Sequence, residues 1–507
     1  MDLSQRRSGV LLHVTSLPGP YGVGDFGPGA FHFVDWLAEA GQTLWQWLPS
    51  TPIGPGHSPY QSVSAFAGSP LMVALEPLVA RGWLAAPALP AGGFDARRVD
   101  FEAVVPWREA RLREAFAGFS ARAEGADRQA WAAWQQAQAE WLDDYLLFMA
   151  LERRHDGQPW WTWEDALRRR EPQALAAARS RHRDEMDFWS FVQWQFAEQL
   201  AALKAHAHRR GVSLMGDLPI FIAHHSADCW ARPELYFLGD DSMPTVVAGV
   251  PPDELSELGQ RWGNPLYRWE AMAADGYRWW TARVRRALQG ADALRIDHFI
   301  GFSRYWEIAA DSPGAQVGRW RPGPGKALFD ALAQALGPLP IVAEDLGLLT
   351  PEVIALRDAC GFPGMKIVSF AFGGDGGHEF LPHRHSTHCV AYPGTHDNDT
   401  LRGWWAAAPA RERAYAAAYC GGGEADIHWA MIRCISNSPA AMAIFPMQDL
   451  LGLDTTHRMN LPGSVGGDNW RWRFEWSMVG PEPGARLAAL AAASGRADIG
   501  LLQLPPR

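Results

Sequence analysis

Three acidic residues, each closing a short apolar stretch, carry most of the chemistry legible in this chain. They are Asp297 in A-D-A-L-R-I-D-H-F-I-G-F, Glu344 in P-I-V-A-E-D, and Asp397 in G-T-H-D-N-D-T. Arg295 stands two residues before Asp297, so on a strand the two side chains share a face. A guanidinium beside a desolvated carboxylate favours its ionised form, which suits a nucleophile. Glu344 follows Val342 and Ala343 and precedes Asp345. An apolar setting and a neighbouring negative charge both raise a carboxyl pKa, as a general acid requires. A lone Arg–Asp pair is more often a structural ion pair. Two further carboxylates at strand ends shift the reading toward glycosidic bond chemistry, which needs one carboxylate to attack and one acid to protonate the leaving oxygen.

The elements that must position them follow from the apolar runs. Strands are expected at Gly9 to Thr15, Thr43 to Leu48, Ser213 to Ile222, Ala293 to Phe299, Pro340 to Asp345, Met365 to Phe372, His388 to Tyr392 and Met442 to Pro446. Helical stretches alternate with them, and polar residues gather at their carboxyl ends. That is the pattern of an α/β fold of the (β/α)8 TIM-barrel type, with active-site residues at one mouth. Residues 1–507 read as one catalytic barrel with insertions: a loop insertion at about 54–100, its start lying in the Gly-, Pro- and Ser-rich stretch Ile53 to Tyr60, and a segment at about 101–210 where apolar residues recur every three or four positions, as in a largely helical subdomain. A substrate-loop insertion is expected at about 223–275, with a lid at 247–262.

Composition excludes several classes. The net charge is −10 with no basic block, and the only lysines are Lys204, Lys326 and Lys366, which argues against nucleic acid. The 5 cysteines are scattered without C-x-x-C spacing, so neither a disulfide framework nor a zinc knuckle is indicated. No run is long enough for a membrane span, and the N-terminal apolar run is too short for a signal peptide, so a soluble, cytoplasmic protein is expected. With 26 Trp, the chain is rich in faces that stack on sugar rings. His378, His383, His385 and His388 cluster without metal-ligand spacing, and G-P-G-K-A at Gly323 to Ala327 lacks the hydroxyl residue of a phosphate loop.

Taken in order, L-R-I-D-H-F, A-E-D-L-G and G-T-H-D-N-D-T resemble the motifs of the amylomaltases, 4-α-glucanotransferases related to the α-amylases. The resemblance extends to S-P-Y-Q-S at Ser58 to Ser62, G-D-L-P-I-F at Gly216 to Phe221 and G-V-P-P-D at Gly249 to Asp253. It continues through G-Q-R-W-G-N-P-L-Y-R-W at Gly259 to Trp269, P-G-M-K at Pro363 to Lys366 and R-M-N-L-P-G at Arg458 to Gly463, and so covers nearly the whole chain. It implies Asp297 as nucleophile, Glu344 as general acid/base and Asp397 as the residue binding hydroxyls of the distorted sugar. It further implies that Arg295, His298 and His396 orient groups around the same ring, that Tyr60 stacks beneath it, that Ser58, Asp217, Gln260 and Asn460 are polar sugar contacts, and that Trp262 is an aromatic wall. The partners implied are an α-1,4-glucan donor and acceptor, with no metal or organic cofactor; monomer and homodimer both stay open. A mainly hydrolytic α-amylase-like enzyme, or a glucan-binding protein on a retired scaffold, are the alternatives. Two departures stand out: Glu254 and Leu255 occupy lid positions that are aromatic in relatives, and His225 stands where an acid is expected.

Overall fold

The computed structural model describes residues 1–87, 89–90, 93–252 and 257–502. Eight parallel strands form one sheet: β1 (Arg7–Leu11), β2 (Leu44–Gln46), β3 (Ser213–Leu218), β4 (Ala293–Ile296), β5 (Ile341–Ala343), β6 (Gly364–Ile367), β7 (Cys389–Tyr392) and β8 (Met442–Pro446). Their order is β6-β7-β8-β1-β2-β3-β4-β5, so the sheet curls until its two edge strands meet. Each strand is a short, nearly continuous apolar run because a parallel sheet is covered on both faces. Inside the barrel Tyr392 Oη on β7 donates to Gln46 Oε1 on β2 over 2.8 Å.

The seam between β5 and β6 closes without a regular ladder. Ala343 N–H donates to Pro363 O (2.9 Å), and two residues on, the Asp345 carboxylate takes the Met365 N–H (2.7 Å) in place of a backbone carbonyl. Arg357 pairs with the other Asp345 oxygen. A glycine is required opposite it, since a Cβ on Gly364 would lie 2.3 Å from Asp345 Oδ2. Asp345 is therefore a wall residue, and the expectation that it adds negative charge beside Glu344 is corrected below.

Several strands are shorter than the apolar runs suggest. The first ends at Leu11 and gives way to a 3-10 turn at Val14–Ser16, and the sixth ends at Ile367 before a 3-10 stretch, Val368–Gly373. β4 stops at Ile296, so Asp297 and His298 belong to the turn beyond it. In a barrel the strand lasts only while neighbours pair with it, whereas hydrophobicity continues into the turns that pack on its rim.

Between β2 and β3 lies a helical region whose main members are Phe101–Arg122, Gly125–Ala137, Ala139–Arg154 and Arg183–Arg209. The last of these reaches back to the loop that carries Tyr60. Gln193 bonds both N–H and C=O of Gly68 (2.7 and 2.8 Å), and Gln199 does the same to Ala74 (2.7 and 3.1 Å). Two buried amides thus pin a loop whose own backbone has no ladder to join. His225 ties the same region to the loop after β3: its Nε2 meets Glu152 Oε1 (3.1 Å) and its Nδ1 accepts the Trp160 N–H (3.3 Å). A second, antiparallel sheet over the barrel mouth has the order 260–265, 246–250, 304–309, 319–322. Glu254 and Leu255 lie outside the described residues. Among the described residues no helix is long and apolar enough to cross a membrane.

Candidate active site

The carboxyl ends of β3, β4, β5, β7 and β8 deliver the polar groups to one mouth. Register decides the first contact: Asp217 on β3 is paired with Arg295 on β4. Arg295 Nη1 consequently reaches both oxygens of Asp217 (2.8 and 2.7 Å), while Nη2 donates to Asp297 Oδ1 (2.9 Å). One guanidinium thus serves two carboxylates, one with a wholly buried side chain and one still 27% exposed toward the cavity. Burial raises the Asp217 pKa and Arg295 opposes it. The two flanking carboxylates outweigh the cost of burying Arg295 and keep it a cation.

Glu344 begins the turn after β5, and only 8% of it is exposed. His298 N–H donates to its Oε2 (2.6 Å) and Leu346 N–H to its Oε1 (3.0 Å). The donor of the first of these bonds is a residue with a left-handed backbone, φ 51°, which is costly for a residue with a Cβ. Burial, then the charge of Asp297, push the Glu344 pKa up to about 8 against the pull of Arg295 and the two N–H groups. The adjacent negative charge is thus that of Asp297; Asp345 faces the barrel seam. The His298 imidazole sits against the edge of Trp262 (centroids 4.9 Å apart, planes at 87°), and burial lowers its pKa to about 4, so it is neutral. Its buried Nε2 has no hydrogen-bond partner among the described residues.

A second chain of contacts runs from Asp217 to Asp397. Tyr60 Oη donates to Asp217 Oδ2 (2.7 Å) and lies 2.9 Å from His396 Nε2, its ring stacked on the imidazole with planes at 9°. A phenol has a single proton, so with Tyr60 donating to Asp217 the His396 Nε2 must carry the hydrogen that Tyr60 accepts. The same nitrogen is 3.4 Å from Asp397 Oδ2. Asn460 Nδ2 donates to Asp397 Oδ1 (2.6 Å), leaving a carboxylate 39% exposed. Asp297, Arg295, Asp217, Tyr60, His396 and Asp397 therefore form one contiguous set, and Glu344 reaches it through the turn at His298.

The remaining candidates from the sequence fall into supporting places. Ser58 Oγ accepts the Tyr60 N–H (3.2 Å) and shapes the turn that presents that ring. Gln260 Oε1 accepts the Trp262 indole N–H (3.1 Å) on the strand Gln260–Pro265. Two residues not singled out beforehand join the site. Trp470 lies beside Tyr60 (5.6 Å between centroids) and His396 (6.2 Å), and Arg458 bonds the main chain of Asp397. Trp470 follows a glycine-rich turn near the C-terminus, a context in which one of many tryptophans carries no signal. Arg458 does fall within the R-M-N-L-P-G motif. Among the described residues no group of three or more His, Cys, Asp or Glu could hold a metal ion.

Comparison with known proteins places the chain in a family. A family model described as 4-alpha-glucanotransferase matches residues 12–478. The 4-alpha-glucanotransferase of Thermus thermophilus is 47% identical over 499 residues, covering 97% of this chain and 99% of that protein. The chloroplastic/amyloplastic 4-alpha-glucanotransferase of Solanum tuberosum is 41% identical over 476 residues, covering 93% and 82%. Among solved structures, the amylomaltase from Streptococcus agalactiae in complex with acarbose superposes with a TM-score of 0.93 at 35% identity, over 97% of this chain and 100% of that one. By sequence, barrel and motif order alike, the chain belongs to the 4-alpha-glucanotransferase family.

Proposed function

We propose that the protein moves α-1,4-glucan segments from a maltooligosaccharide or starch chain to the 4-hydroxyl of another glucan or of glucose, by a retaining double displacement. Asp297 attacks the anomeric carbon while Glu344 gives its proton to the departing glycosidic oxygen, leaving a glucosyl ester on Asp297. Glu344, now a carboxylate, takes the proton of the acceptor 4-hydroxyl, which attacks the ester and frees Asp297. Retention calls for carboxyl groups roughly 5–5.5 Å apart. Asp397 accepts from hydroxyls of the distorted ring, in bonds that strengthen in the transition state. Tyr60 stacks beneath that ring, the unpartnered Nε2 of His298 meets a sugar hydroxyl, and Trp262 with Gln260 forms the wall on the lid side.

The observation that carries this reading is the divergence of two neighbouring carboxyls. Glu344 is buried with a raised pKa, whereas Asp297 stays open to the cavity in the grip of Arg295. Environments that separate two such groups assign acid and nucleophile. Water at about 55 M competes with an acceptor at about 10 mM, so transfer must be favoured by about 5 kcal/mol at the ester. Acceptor sugars bound under the hairpin of 246–250 and 260–265, which shields the ester from water, supply that preference.

Maltotriose tests it. Transfer yields glucose together with a ladder of longer glucans, and hydrolysis yields only shorter sugars with reducing ends rising in step. A ladder absent at every time point would favour the hydrolytic alternative.

A further inference from the structure

The loops after β7 and β8 meet at Asp397, and the geometry points to Arg458 as the positioning residue that aims this carboxylate at the sugar. The inference rests on the reading of Asp397 given above. Arg458 leaves the chain two residues before Asn460 and uses two nitrogens on main-chain carbonyls: Nη2 donates to Asp397 O, and Nε to Asn460 O (2.6 Å). Asn460 in turn donates its side-chain amide to Asp397 Oδ1 (2.6 Å) and its N–H to His396 O (3.1 Å). The guanidinium thus closes a four-bond frame whose fourth side is the Asp397 carboxylate itself. Among the described residues it makes no ion pair of its own.

A planar fork suits this task because its donors diverge at a fixed angle and reach two carbonyls at once; an ammonium on a flexible stem cannot hold both in one geometry. The frame matters because Asp397 is otherwise loosely held. Among the described residues its second oxygen has only His396 Nε2, at 3.4 Å. Rotation of a half-exposed carboxylate by a fraction of an ångström at the sugar would weaken the bonds that grow in the transition state while sparing those already made to the bound substrate.

A simple staple between loops would act differently. The two loops are joined independently by Thr455 Oγ1 to Asp399 Oδ2 (2.6 Å) and by Leu401 N–H to Asp449 Oδ1 (2.7 Å). Those links survive the loss of Arg458, so its removal should loosen the aim of Asp397 more than the fold.

The test compares Arg458→Met and Arg458→Lys with Asp397→Asn and wild type. Turnover of maltotriose gives kcat, calorimetry in an Asp297→Asn background gives the maltotriose Kd without turnover, and a thermal melt gives Tm. For Arg458→Met, kcat should fall on the order of 100-fold while Kd stays within about threefold, and Arg458→Lys should recover about tenfold of the loss. An unchanged kcat overturns the inference. So does a fall in kcat matched by an equal rise in Kd, since Arg458 would then serve substrate binding alone. If Arg458→Met fails to fold, Arg458→Lys decides alone: a kcat reduced at least about tenfold with Kd and Tm retained upholds the inference, and a kcat within about twofold of wild type overturns it. Should Asp397→Asn keep its turnover, the reading of Asp397 falls and Arg458 with it. Should Asp397→Asn lose turnover while Arg458→Met keeps it, only the role of Arg458 falls.

Discussion

The main-chain N–H of His298 donates to Oε2 of Glu344 over 2.6 Å, from a residue whose φ is +51°. A strained turn next to the nucleophile thus reaches across to hold the acid. Each Glu344 oxygen spends one acceptor position on an N–H, so the acidic proton is left the other edge of the group. His298→Gly, which removes the Cβ penalty but also the imidazole against Trp262, should raise Tm slightly and lower kcat at least about tenfold. A variant with both values unchanged would show that neither the strain nor the ring matters.

The raised pKa of Glu344 has a signed consequence for turnover. The acid must be protonated in the first displacement, so kcat/KM should fall as pH rises through about 8. Glu344→Gln should lose on the order of 10²–10⁴-fold and should show no such alkaline limb in its residual rate. A wild-type profile flat to pH 10 contradicts the assignment.

The same shift bears on stability. With a folded pKa near 8 and an ordinary carboxyl value of 4.5, the folded chain binds more protons than the unfolded one between those pH values. Stability from this group is therefore present at low pH and is lost as pH climbs from about 4.5 through about 8. Glu344→Gln cannot ionise, so its Tm relative to wild type should rise across that window. Parallel curves of Tm against pH for the two proteins would refute it.

Arg295 lies between two carboxylates, one of them with a fully buried side chain. Arg295→Met leaves Asp217 in the interior without its cation, and the urea midpoint should drop by the equivalent of about 3–5 kcal/mol. The double variant Arg295→Met/Asp217→Leu should regain most of that stability without activity. If the single variant is as stable as wild type, the pair is not the buried ion pair described.

The barrel seam offers a test away from the chemistry. Gly364→Ala puts a methyl group against the Asp345 carboxylate, which must leave the Met365 N–H or displace β6. A loss of about 1–3 kcal/mol in denaturant unfolding is expected, with maltotriose turnover per folded molecule nearly unchanged.

Much of this is legible in the sequence alone. Eight apolar runs with acidic or amide residues just past them specify a barrel and its mouth, because strand ends are where a buried apolar run gives way to solvent. The opposed settings of Asp297 and Glu344 were half legible: Arg295 two residues away and Val342–Ala343 before the glutamate are local facts. Asp345 shows the limit. In sequence it is the neighbour of Glu344, yet successive residues leave a strand on opposite sides, and the charge that acts on Glu344 belongs to Asp297, far along the chain.

What only the tertiary structure decided is pairing across distance. Asp217 meets Arg295 because β3 and β4 pair in that register, and Tyr60 meets His396 because two glutamines on a distant helix hold its loop. Arg458 and Trp470 come to Asp397 and Tyr60 only through the last loops of the chain. Residue type and local pattern determine which groups can do chemistry and at which end of the fold they stand. Register and loop packing determine which of them touch, since a contact between remote residues depends on the path of all the chain between them.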